Sequence, residues 1–122
     1  MISLNRMIQI INDSKLSAFL QGDLIHVSAE GVTLFTATAD EEALCEELHN
    51  ATINFNIQKF ADKIVKQKLK NQIEICFDPD SKIYKNNLET IADQFSASEC
   101  FLIAEQIEGV LFDLEDQIYS MN

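Results

Sequence analysis

The sequence predicts an α+β fold: a small antiparallel sheet of about three strands, packed with helices and closed by a long C-terminal helix. Three observations point there. "DLIHV" and "VTLFTAT" are strand-like runs separated by "SAEG", which suits a hairpin. Other segments repeat their apolar residues at helical spacing, and the longest of these runs from 97 to 120. The 122 residues are 47% apolar with only 3 Gly and 1 Pro, the composition of one globular domain spanning 1–122.

Taken in order, Leu4, Met7, Ile8 and Ile11 have helical spacing, and Ser3 is placed to cap them. "NDS" breaks this helix before "KLSAFLQ", a second helical stretch that Gly22 would end. Strands are expected at 23–28 and 32–37, with Gly31 taking the positive φ of the turn. "TADEEALCEELHN" opens a helix. Thr38 and Glu41 have capping-box spacing there, and the early acids suit the helix dipole. "ATINFNI" reads two ways. Ala51, Ile53, Phe55 and Ile57 alternate as in a strand, whereas Asn56 is equally placed to cap a helix over about 57–70 that buries Ile57, Phe60, Ala61 and Ile64.

"QIEICFD" predicts the third strand, 72–77, ended by the "DPDS" turn. Leu88, Ile91, Ala92 and Phe95 share one face of a short helix with Asn86 and Glu89 at capping spacing. The last segment poses a choice. "LIHVSAEGV" and "LIAEQIEGV" look alike, so Gly109 could turn a second hairpin. Against that, Ser96 and Glu99 form a capping box, and Phe95 and Cys100 a hydrophobic staple. Cys100, Ala104, Ile107, Leu111, Leu114, Ile118 and Met121 then repeat at helical spacing, so a helix over about 97–120 is preferred.

Charge is unevenly laid out. The chain has 20 Asp+Glu against 9 Lys+Arg, a net charge of -11. Residues 1–50 carry -6, residues 51–86 carry +3 and residues 87–122 carry -8. Lys59, Lys63, Lys66 and Lys70 fall on one narrow helical stripe opposite the apolar face. That stripe is either a solvated face or a docking strip for an acidic surface, within the chain or on a second copy in a homodimer. Lys68 falls nearer the apolar side, so it must snorkel or the helix must fray before it. Approach to a phosphate backbone is repulsive for so acidic a chain, so no direct nucleic-acid contact is expected. A basic protein surface is the natural match.

Motifs for chemistry are sparse. Cys45 and His49 are i, i+4, as in half a metal site, but no second cluster completes it. "DPDSKIYKNNLE" places Asp78, Asp80 and Glu89 like a calcium loop, yet Lys82 and Ile83 stand where a ligand and a Gly are needed. There is no nucleophile elbow and no Gly-rich phosphate loop. No cofactor, metal or catalytic residue is therefore assigned. The eight Phe are read first as core material. Cys45, Cys76 and Cys100 are odd in number and widely spaced, which fits free thiols in the cytoplasm. No apolar run reaches membrane-spanning length, so no membrane association is expected.

Together these features predict a non-catalytic acidic module that occupies a basic functional surface on another protein. Immunity proteins, inhibitors and nucleic-acid mimics share that size and charge. The expected contact residues are Glu105, Glu108, Asp113 and Asp116 with Glu41, Glu42 and Glu46. Two alternatives stay open: a small acidic dimeric chaperone or adaptor, and a small enzyme with a site assembled around His26 or His49.

Overall fold

The computed structural model describes residues 2–75 and 97–120, with side chains at 2–68 and 99–120. It comprises α1 (Leu4–Asp13), β1 (Ser17–Gln21), β2 (Leu24–Ala29), β3 (Val32–Thr38), α2 (Glu41–Asn54), α3 (Ile57–Ile75) and α4 (Ala97–Ser120). The strands form one antiparallel sheet in the order β1-β2-β3. The α+β fold expected from the sequence is what the chain adopts.

Capping residues set most helix starts. The Ser3 hydroxyl accepts from the Arg6 N–H at 3.2 Å, as its position foretold. Asn56 accepts from the Lys59 N–H at 2.9 Å, which decides the ambiguous "ATINFNI" in favour of a helix cap. Helix α2 departs from expectation in its cap. Asp40, not Thr38, accepts from the Ala43 N–H at 3.0 Å, because Thr38 is still in β3.

Two larger departures concern strands. "KLSAFLQ" was expected to be helical, but Ser17–Gln21 is β1. Its Lys, Leu, Ala and Gln favour helix by propensity, and pairing with β2 overrides that preference. Gly22 therefore does not end a helix. It takes φ +61° in the two-residue turn between Gln21 and Leu24. The strand expected at 72–77 is likewise not formed at 72–75, where α3 continues to Ile75. Residues 76–77, the "DPDS" turn, the helix expected near 86–95, Cys76, Met121 and the calcium-like loop lie outside the described residues.

The second hairpin is tighter than the four-residue link suggested. Ala29 pairs with Val32, leaving Glu30 and Gly31 as the turn, with φ of 55° and 76°. Both central residues at positive φ is the type I′ pattern that matches strand twist. The positive φ calls for glycine, and a Cβ on Gly31 would stand close to the Gln67 side chain, 3.3 Å from its Cγ.

Alternation along the strands gives the sheet two unlike faces. Ala18, Ile25, Val27, Ala29, Val32 and Ala37 are buried on the inner face. On the outer face Phe19 stacks on its cross-strand partner His26, ring centroids 5.0 Å apart. Helix α1 docks on β1 and α2 on β3, while α4 packs against α2 and α3 and touches α1. Cys100, Ala104, Ile107, Leu111, Leu114 and Ile118 from α4 join Met7, Ile11, Leu44, Leu48 and Ile64 in one core cluster. Gly109 is helical, so α4 is continuous where a hairpin was the alternative.

The outer edge of β1 is closed by a side chain. The Asn12 amide donates to the Ala18 carbonyl at 3.0 Å, and its oxygen accepts from the Ala18 N–H at 2.7 Å. It occupies the main-chain groups that a fourth strand would use.

Candidate functional site: the acidic face of α2 and α4

Helix α4 buries one stripe and exposes the rest. Phe112 and Tyr119 lie three residues before and four after Glu115, on the flank of the helix that meets α2. Both are about half exposed, and Leu102 further round the helix is 58% exposed. Glu105 and Asp116 are exposed beside them, and Glu108 is half-buried on the same flank. On α2, Glu42, Glu46 and Ile53 are exposed on the side away from the buried Leu44, Leu48 and Thr52. Ile53 is 62% exposed.

The seam between the helices is made by His49 and Glu115. The imidazole Nδ1 meets the Glu115 Oε1, and a carboxylate can only accept, so Nδ1 carries the proton. This contact lies at the rim of the interface where Leu44 and Leu48 of α2 join the buried stripe of α4 in the core. Five of the expected contact acids, Glu42, Glu46, Glu105, Glu108 and Asp116, thus flank one seam.

The other two expected acids sit elsewhere. Glu41 is half-buried at the start of α2 and acts on Cys45. Asp113 lies on the opposite flank of α4, in a groove of about 300 Å³ shared with Asp13, Lys15 and Gln117. Lys15, at the wall of that groove, donates to the Gln106 side-chain oxygen at 3.2 Å.

Phe19 and Phe112 were expected in the core, yet both are about half exposed. Phe19 is on the outer face of the sheet because strand pairing, not helical spacing, sets its direction. Phe60 is buried, and Phe35, Phe55 and Phe101 pack against the core. The exposed aromatic flank of α4 was not legible from sequence, since Phe112 and Tyr119 border the apolar stripe and only packing decides which side of it faces out.

Cys45, His49 and Glu115 have the residue types of a nucleophile, a base and its orienting acid. Their arrangement lacks the features that activate a thiol. Burial, and then the Glu41 charge, push the Cys45 pKa above its ordinary value, which disfavours the thiolate. No hydrogen bond joins Cys45 to His49. Among the described residues no three His, Cys, Asp or Glu side chains are grouped to hold a metal ion, and no helix is long and apolar enough to cross a membrane.

Of the expected self-association residues, Lys59, Lys63 and Lys66 are exposed on α3 and form no ion pair among the described residues. Lys63 and Lys66 line a groove of about 340 Å³ with Gly31, Val32, Thr33 and Gln67, between α3 and the hairpin turn. The Lys70 side chain lies outside the described residues. Lys68 is half-buried.

No family model, no curated protein and no solved structure matches this chain.

Proposed function

We propose that this chain is a non-catalytic protein-binding module that occupies a basic functional surface on a partner, with the outer face of α2 and α4 as its contact. The observation that supports this is the mixture on that face. Leu102, Phe112 and Tyr119 are at least half exposed among Glu105, Glu108 and Asp116. Exposed apolar anchors ringed by one sign of charge have the composition of an interface core and its rim. The anchors would set residence time, and the acids would steer encounter with a positive surface such as a nucleic-acid-binding cleft. The free thiols Cys45 and Cys100 fit a cytoplasmic setting.

The test starts from crosslinking capture in extract at low salt, followed by association kinetics on the captured protein. Replacing Glu105 and Glu108 with Gln and Asp116 with Asn should lower the on-rate about tenfold at low salt and change the off-rate little. Phe112→Ser should do the opposite and speed dissociation. Asp113→Asn, on the other flank, should have the smallest effect. An on-rate indifferent to both salt and the triple change would sink the reading, as would a partner with an acidic contact surface.

A further inference from the structure

The two edges of the sheet are treated differently. At β1 the Asn12 side chain takes both main-chain groups of Ala18. At β3 no such plug exists among the described residues. Ala29–Val32 flanks a two-residue turn, so it is a hydrogen-bonded pair, and alternation makes Val27–Phe35 and Ile25–Ala37 the next ones. Thr36 therefore directs its N–H and C=O away from β2. No group outside the strand ladder bonds to Thr36 among the described residues.

The strand itself, "VTLFTAT", has no charge and no proline, the usual guards of an edge. Its bulge is at the turn end, and Phe35–Thr38 is regular. In a chain of net charge -11 this is a rare stretch that a second copy could approach without opposing acids.

The charges beside β3 are complementary under a two-fold axis. Its first residues, Val32 and Thr33, share a groove with Lys63 and Lys66. Its last residue runs into Asp40, Glu41 and Glu42 at the start of α2. Antiparallel pairing of two copies about Thr36 reverses one strand. At about 3.3 Å per residue, Thr33 lies about 10 Å from the axis and the other copy's Thr38, where the chain turns into Asp40 and α2, about 7 Å from it, on the same side. A two-fold perpendicular to the sheet also keeps both helix layers on one face. The lysines of each copy then meet the acidic start of α2 on the other, twice.

We propose that β3 is a self-pairing edge, and that two copies join through it into a continuous six-stranded sheet with the Lys63/Lys66 groove receiving the α2 N-terminus of the other copy. This surface borders the α2–α4 acidic face and shares Glu42 with it, but the pairing of β3 does not depend on that face's role.

Sedimentation equilibrium tests it. Wild type should be dimeric at concentrations on the order of 100 µM and low salt, and the dimer should weaken as salt rises. Thr36→Pro removes an outward N–H and no bond of the β2–β3 ladder, though it also fixes φ at that position. It should raise the dissociation constant at least about tenfold with the far-ultraviolet circular dichroism unchanged, since edges tolerate proline. Should that variant not fold, Thr36→Lys, on the exposed outer face, sets two cations side by side at the axis and should weaken the dimer similarly. Lys63→Glu with Lys66→Glu should also weaken it, and Glu42→Lys added to that pair should restore it in part. A wild type that stays monomeric, or a dimer indifferent to the Thr36 substitutions, overturns the proposal.

Discussion

Cys45 is the described residue whose ionisation is most clearly set by its surroundings. Burial and the Glu41 carboxylate both disfavour its thiolate, so the folded pKa lies above the unfolded one. Stability from this group is then fully present below the ordinary thiol range and is lost as pH rises through the folded value. We expect iodoacetamide to alkylate Cys45 with a pH midpoint above that of the unfolded chain, and Glu41→Gln to bring the midpoint part of the way back. A midpoint equal to that of the unfolded protein would contradict this. Some residue-scale features could be read directly from sequence, because their chemistry is local. Ser3 caps as placed, Asn56 follows one of the two readings its segment allowed, and Gly31 takes the positive φ. Asp40 could not be told from Thr38, since both carry an acceptor oxygen and the end of β3 decides between them. Glu30 in the left-handed region was equally hidden, because only the pairing of Ala29 with Val32 forces it there.

At the scale of elements, periodicity was legible where one side of a long segment is apolar. The span of α4 follows from its repeat, and its buried residues from Cys100 to Ile118 are those the repeat marked. Its glycine, Gly109, sits mid-helix without ending it. A Cβ at Gly109 would meet nothing within 4 Å. Gly109→Ala should therefore raise stability by about 1 kcal/mol, seen as a higher urea midpoint with an unchanged slope. A lower midpoint would mean that the position is more crowded than its surroundings indicate. Short segments were misread for the opposite reason. Ser17–Gln21 is five residues long, and its direction is fixed by β2 and by Asn12 rather than by its own composition. "QIEI" alternates like a strand but continues a helix already under way. The candidate site was half visible: its acids were placed by sequence, and the aromatic residues between them by packing alone.

At the scale of the whole molecule, α2 and α4 carry acids and no Lys or Arg, whereas most of the lysines lie on α3. The acids of α2 and α4 flank one seam, while Lys63 and Lys66 border the hairpin turn. The layout of the core has a further outcome, in time rather than space. β1, β2 and β3 are joined by two-residue turns, and Asn12 reaches its partner Ala18 across six residues. These contacts close short loops and form early at small entropic cost. The contacts of α4 are the reverse: His49 to Glu115 spans 66 residues and Lys15 to Gln106 spans 91. The sheet with α1 should thus assemble before α4 packs against α2 and α3. Pulse-labelled hydrogen exchange during refolding should find β2 amides protected before those of α4, and simultaneous protection would show a single concerted step. On a ribosome the same order leaves the sides of α2 and α3 that meet α4 uncovered until α4 has been made, and that interval is the one most exposed to aggregation.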